Sequence, residues 1–178
     1  VRRVNFTGST HVGRIVGELS ARHLKPALLE LGGKAPFLVL DDADLDAAVE
    51  AAAFGAYFNQ GQICMSTERL IVDARVADVF VSKLASKIAT LRAGNPNAAG
   101  SVLGSLVDAA AGERIRGLID DALEKGARLV AGGQIERSIM QPTLLDGVTP
   151  EMRLYREESF GPVAVLLRGE GDEELLRL

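Results

Sequence analysis

One cysteine stands among the 178 residues, and its surroundings are polar: Asn59-Gln60-Gly61-Gln62-Ile63-Cys64-Met65-Ser66. A structural cysteine normally lies inside an apolar run. A thiol that follows an amide-rich glycine loop lies where a small molecule can approach it. Loops held on a rigid scaffold are common homes for catalytic groups. The alternative is an inert small residue. The second candidate is Glu30, in Leu28-Leu29-Glu30-Leu31-Gly32-Gly33-Lys34. A carboxylate within an apolar strand is costly to bury unless it is paired or functional, and desolvation makes a carboxylate a better general base. The glycines behind it let backbone approach a ligand such as a cofactor closely. The alternative is a strand-end carboxylate that pairs with Lys34 or faces water.

Two further segments have the chemistry of ligand contacts. Phe6-Thr7-Gly8-Ser9-Thr10 reads as a strand, a glycine turn and a hydroxyl at a helix start. Free N–H groups and the helix dipole favour a phosphate there, although many helices begin with Ser or Thr. Glu157-Glu158-Ser159-Phe160-Gly161-Pro162 sets two acids and an aromatic ring before a Gly-Pro turn. A carboxylate there suits ribose hydroxyls and a ring suits a flat cofactor; the alternative is a solvated acidic turn. His11 and His23 are not at metal-ligand spacing and neither neighbours Cys64, so no metal is assigned.

The elements that must position these groups follow from periodicity. Residues 1–6 read as a strand and residues 12–23 as a helix with Val12, Ile15, Val16 and Leu19 on one face, with a break at Pro26. Residues 27–31 and 37–40 are short apolar strands. Asp41 and Asp42 offer N-caps for a helix over about 44–58, whose Leu45, Val49, Ala52 and Ala56 share a face. Residues 70–72 are a strand, and Val76, Phe80, Leu84, Ile88 and Leu91 line the helix after it. A loop at 94–100 precedes the stripe Ile115, Leu118, Ile119, Ala122 and Leu123, which stops at Gly126. Strands follow at 128–131, 143–145 and 163–167, the last after a loop over 150–161. Strands alternating with helices predict an α/β fold with a mostly parallel sheet flanked by helices.

Composition narrows the classes. The chain is 47% hydrophobic and 25% charged, as in a globular protein. Its 20 basic and 24 acidic residues give a net charge of −4 with no basic block, which argues against nucleic acid as a partner. No apolar run approaches the roughly 18–20 residues that span a bilayer, so no membrane partner is expected. A lone cysteine forms no internal disulfide and is compatible with a reducing cytoplasm. The chain opens on Val1 and closes on Leu175-Leu176-Arg177-Leu178, in what reads as a helix; these ends leave a fragment and a complete small protein equally open.

Taken together, the four segments resemble the aldehyde dehydrogenase superfamily. Leu29-Glu30-Leu31-Gly32-Gly33-Lys34 resembles its glutamate signature and Gly61-Gln62-Ile63-Cys64 its cysteine signature, in the expected order and separation. Phe6-Thr7-Gly8-Ser9 and Glu157-Glu158-Ser159-Phe160-Gly161-Pro162 resemble its cofactor-contacting segments. The resemblance implies that Cys64 is the nucleophile, with its backbone N–H as an oxyanion donor, and Glu30 the base that activates water. It implies that Gly8 and Ser9 meet the pyrophosphate of NAD (NADP being the alternative) and that Leu31 and Gly32 lie against the cofactor. Glu158 would hold the nicotinamide ribose and Phe160 would pack near it. Residues 1–33 would be the last part of the NAD-binding domain, and residues 34–178 a catalytic domain truncated at its C-terminal end. The parent would be a homodimer or homotetramer, and the isolated chain inactive. Gln62 to Arg69 and Gly104-Ser105-Leu106-Val107-Asp108 look most like the aromatic-aldehyde group of salicylaldehyde, benzaldehyde and vanillin dehydrogenases, so the substrate expected is an aromatic aldehyde. Ser66 stands where many members carry a smaller residue. The rival readings are a coenzyme A-acylating relative, against which Glu30 argues, and a non-catalytic truncated module.

Overall fold

A strand, a helix and a second strand make up the first of two units into which the chain divides, Val1–Gly33 and Lys34–Leu178; the computed structural model describes residues 1–178 throughout. In the first unit, β1 (Val4–Gly8) and β2 (Ala27–Leu31) pair in parallel, and α1 (Thr10–Arg22) connects them. α1 is the helix read from periodicity, and the face it turns toward β2 is not its apolar stripe. Val12, Ile15 and Leu19 are 40%, 47% and 50% exposed, whereas Gly13 and Ser20 are buried. The reason is close approach: a Cβ on Gly13 would lie 2.5 Å from Leu31 Cδ2, and one on Gly17 3.4 Å from Leu29 Cδ1. Small residues one turn apart let the helix settle onto Leu29 and Leu31. Side chains alternate along a strand, so Leu28 and Glu30 point to the other, exposed face.

The second unit is built on a five-stranded sheet. Its strands are β3 (Ala35–Val39), β4 (Thr67–Asp73), β9 (Val163–Gly169), β8 (Thr143–Asp146) and β5 (Arg128–Ala131), in that spatial order. All neighbours are parallel except β5, which runs antiparallel to β8 at the edge. This is the mostly parallel α/β sheet expected. The central strands read as continuous apolar runs because both faces are buried. Leu70, Val72, Leu144, Ala164 and Leu166 point to one core, shared with α2 (Leu45–Tyr57) and α3 (Ala74–Ile88). The alternate residues Ile71, Leu145, Val163, Val165 and Leu167 point to a second core with α4 (Ala109–Glu124), α5 (Arg153–Arg156) and α6 (Asp172–Leu175). A small hairpin of β6 (Ile135–Glu136) and β7 (Ile139–Met140) lies outside the sheet.

Capping is local. Asp44, rather than Asp41 or Asp42, caps α2: its Oδ1 accepts from the N–H groups of Asp46 and Ala47 at 3.0 and 3.1 Å. Asp41 instead pairs with Arg75. Asp73 caps α3 and forms two bonds of 2.8 Å with the Arg75 guanidinium, which holds its carboxyl well below the usual range. Gly126, at φ 99°, ends α4 as expected from the sequence. No helix is long and apolar enough to cross a membrane.

Candidate functional site

Candidate residues of the first unit gather at the carboxyl edge of its strand pair. Gly8 is in register with Leu31 and Thr7 with Glu30. Ser9 is the exposed N-cap of α1; its hydroxyl accepts from Val12 N–H at 3.4 Å, and the first turn holds no acidic residue. A thirteen-residue helix with that terminus suits a phosphate group. The Leu31 side chain is spent on packing over Gly13, which leaves backbone to meet a ligand at Leu31 and Gly32. Glu30 is exposed on the face away from α1, so the burial expected for it from its apolar neighbours is not present in this chain. Strand alternation is the reason: the two leucines flanking Glu30 point the other way.

In the second unit the candidates occupy the amino edge of the sheet. Open doubly wound sheets generally bind ligands at the carboxyl edge, so topology alone would not have found them. β3, β4 and β9 begin side by side, with Pro36 paired to Arg69 and Arg69 to Val165. The chain leading into β4 carries Cys64, and the chain leading into β9 carries residues 157–162.

The Cys64 segment leaves α2 through three consecutive residues in the left-handed region, Asn59 (φ 51°), Gln60 (φ 58°) and Gly61 (φ 66°). Non-glycine residues adopt this conformation at a cost of roughly 1–2 kcal/mol each, so other contacts must hold it. Side-chain amides do so. Gln60 Oε1 accepts from Gly104 N–H at 3.0 Å, Gln62 Oε1 from Val107 N–H at 2.8 Å, and Asn59 Nδ2 donates to Gln62 O at 3.3 Å. The amide-rich run is therefore a clamp on the 104–107 segment, a role its sequence did not reveal. A turn closed by Ser66 N–H donating to Ile63 O at 3.0 Å follows, and it lifts Cys64 into an exposed position. Ser66 has its hydroxyl buried without a hydrogen-bond partner.

Beside this turn the surface is aromatic. Phe54 and Phe58, one turn apart at the end of α2, stack with centroids 4.9 Å apart. With Ile63, Asn59, Val102 and Leu103 they line a cavity of about 520 Å³. Below them Tyr57 is buried and donates to Thr143 O at 3.1 Å; burial pushes its hydroxyl pKa up.

The structure brings the Cys64 loop and the 157–162 segment together through two glycines. A Cβ on Gly61 would stand 2.1 Å from Gly161 O, so the two backbones meet where Gly61 could not carry a side chain; a Cβ on Gly161 would instead meet the Ile115 side chain at 2.4 Å. Glu157 is engaged with Arg153 at 2.8 and 2.9 Å, which lowers its carboxyl pKa. Glu158 is half-buried, and Phe160 sits at φ 45° with its side chain partly exposed.

Sequence reasoning missed the group beneath this segment. Glu68, at the start of β4, is 2% exposed and pairs with the largely buried Lys34. Burial pushes the Lys34 ammonium below its ordinary value, opposed chiefly by the Glu68 carboxylate. Lys34 thus takes Glu68 as its ion-pair partner, not the Glu30 considered from sequence. Arg69 donates through Nε to Lys34 O at 3.1 Å and ties the starts of β3 and β4. No group of three or more His, Cys, Asp or Glu side chains is placed to hold a metal ion.

An α/β sheet with an exposed thiol on the turn before a central strand is a scaffold equipped for covalent chemistry at sulfur. Residues 1–178 match the model of the aldehyde dehydrogenase family over their whole length, and the chain belongs to that family. It is 82% identical over 178 residues to a vanillin dehydrogenase of Pseudomonas fluorescens, covering all of this chain and 37% of that protein. A crystal structure of a salicylaldehyde dehydrogenase from Pseudomonas putida complexed with salicylaldehyde superposes with a TM-score of 0.96 at 51% identity, covering 99% of this chain and 37% of that one. A betaine aldehyde dehydrogenase from Staphylococcus aureus in complex with NAD+ gives 0.94 at 30% identity, with 99% and 37% covered. The chain thus spans a little over a third of the length of the relatives it matches.

Proposed function

We propose that these residues are the cysteine-bearing part of a longer NAD-dependent dehydrogenase (NADP being the alternative) that oxidises an aromatic aldehyde to its carboxylic acid. The observation that carries the proposal is the juxtaposition of an exposed Cys64 turn with the Glu158–Phe160 segment through Gly61 and Gly161. Cys64, as thiolate, attacks the carbonyl carbon, and its backbone N–H meets the oxygen that becomes negative. The resulting thiohemiacetal becomes a thioester on loss of hydride. When bound, the nicotinamide cofactor supplies the hydride acceptor. Glu30 then takes a proton from water, which attacks the thioester, releases the acid and returns Cys64 to its thiolate. Gly8 and Ser9 contact the pyrophosphate, Leu31 and Gly32 offer backbone, Glu158 accepts from the ribose hydroxyls, and Phe160 packs near the nicotinamide end. Each unit by itself suits its part of such a group: the first has an α1 terminus free of acids, and the second carries a partly exposed aromatic ring and a half-buried carboxylate in one segment.

Residues 1–33 are assigned to the end of the cofactor-binding domain and residues 34–178 to the catalytic domain. The parent is a cytoplasmic homodimer or homotetramer, and the 178-residue chain alone is inactive because it lacks most of the cofactor domain. A water-activating Glu30 favours hydrolysis over transfer to coenzyme A. The aromatic preference rests on the stacked Phe54–Phe58 pair lining the cavity beside Ile63, since flat rings gain from stacking beyond their area alone. In the full-length enzyme, vanillin or salicylaldehyde is expected to give a kcat/KM about tenfold or more above that of a straight-chain aldehyde of similar size. NAD+ reduction followed by absorbance, with the acid product identified without added coenzyme A, checks both points. A preference for the aliphatic substrate, or a product that forms only as the acyl-coenzyme A, would overturn this reading.

A further inference from the structure

A carboxylate as deep as that of Glu68 is costly unless its lone pairs are engaged. Apart from Lys34, they are engaged by a single segment. Ser159 N–H donates to both Glu68 oxygens at 2.9 and 3.1 Å, and Phe160 N–H donates to Oε1 at 3.2 Å. The carbonyls of the same segment are taken by another side chain: Arg114, on α4, donates to Glu158 O at 3.2 Å and to Ser159 O at 2.5 Å. The peptide groups on both sides of Ser159 are therefore fixed through donor and acceptor alike. This grip holds Phe160 in a left-handed backbone conformation that a bulky residue avoids when free. That twist sets the direction of the ring. Lys34 is paired with Glu68 and is also attracted, more weakly, by Glu158.

We infer that the Glu68–Lys34 pair is a positioning device, which presets the backbone of residues 158–160 so that the Glu158 carboxylate and the Phe160 ring stand ready for the cofactor before it binds. The inference rests on the reading of residues 158–160 as a cofactor segment. Neither Glu68 nor Lys34 is assigned a contact with cofactor or substrate. A buried ion pair is often no more stabilising than apolar residues of the same volume; here its use is to hold one loop conformation. Preorganisation of this kind shows in affinity, because a loop that must be ordered on binding weakens the complex.

The test is calorimetric titration of NAD+ into the full-length enzyme carrying Glu68→Gln, Arg114→Met or Glu158→Gln. Glu68→Gln keeps the volume but removes the charge that accepts three hydrogen bonds from the Ser159 and Phe160 N–H groups, and its dissociation constant for NAD+ is expected to rise about tenfold or more. Arg114 is exposed, so Arg114→Met preserves the fold and is expected to raise it about threefold. Alkylation of Cys64 by iodoacetamide without cofactor is expected to stay within about twofold of wild type in both, a result that general loosening of the site would not give. If Glu158→Gln weakens NAD+ binding while Glu68→Gln and Arg114→Met leave it unchanged, the positioning role is overturned and the cofactor reading stands. If Glu158→Gln also leaves it unchanged, the cofactor reading falls and the inference with it. Should Glu68→Gln fail to fold, Lys34→Gln, which removes the other half of the pair, is titrated in its place and decides by the same criterion.

Discussion

Replacing Cys64 with alanine in the full-length enzyme is expected to abolish aldehyde-dependent NAD+ reduction, a loss of about 10⁴-fold or more, because no other group forms the covalent intermediate. The same change is expected to alter folding stability by no more than about 0.5 kcal/mol, as usual for an exposed position away from special structure. The geometry supports that split. Cys64 is exposed, and the turn around it is closed by backbone atoms of Ile63 and Ser66, which the substitution leaves in place. A mutant that unfolds would show that the thiol has a structural part. A mutant that keeps more than a trace of activity would show that the chemistry lies elsewhere.

Gly61→Ala should act in the opposite way, through the fold. A Cβ there would stand 2.1 Å from Gly161 O, 2.6 Å from Gly161 C and 3.0 Å from Ala56 O, all backbone atoms that cannot swing aside. The residue also sits at φ 66°, where alanine is strained. Left-handed strain of roughly 1–2 kcal/mol and overpacking of roughly 1–3 kcal/mol together predict a loss of about 3 kcal/mol. Chemical denaturation measures it. Because the contact joins the Cys64 loop to the 157–162 segment, activity and NAD+ affinity should fall together. A variant of wild-type stability and full activity would mean that the two loops do not bear on each other there.

Much of the second unit was legible in the sequence. Ile115, Leu118, Ile119 and Ala122 recur at helical spacing and are all buried on α4, and the apolar run after Arg69 became a strand buried on both faces. The short elements were not legible. β6, β7 and α5 have two to four residues each, too few to show a period, whereas the closing helix reads from the sequence over 175–178 and lies at Asp172–Leu175. In α1 the period found the helix but did not show which face packs on β2, because that face belongs to Gly13 and Gly17, which hydrophobicity does not mark.

The site divides in the same way. Cys64 and Glu158 stood out because each belongs to a short segment of unusual composition. Glu30 stood out by an argument from burial, yet it is exposed in this chain. The same argument applied to Glu68, which heads the run Leu70-Ile71-Val72, would have found a carboxylate that is in fact buried. Its partners could not have been read locally, since Lys34 lies 34 residues away and Ser159 lies 91. Contacts of that range come from strand order, which places the starts of β3, β4 and β9 side by side.

In the proposed reaction Cys64 carries an acyl group which Glu30 helps water to remove. Glu30→Gln separates the two halves, because glutamine cannot take the proton from water, and hydrolysis should slow by about 10²–10⁴-fold. The most direct measurement is mass spectrometry of the full-length Glu30→Gln enzyme, acid-quenched after mixing with NAD+ and vanillin and then digested. Near-stoichiometric acylation of the peptide that carries Cys64 is expected, with about one NADH formed per acylated site. An unmodified Cys64 peptide alongside wild-type turnover, or an adduct on another residue, would contradict it.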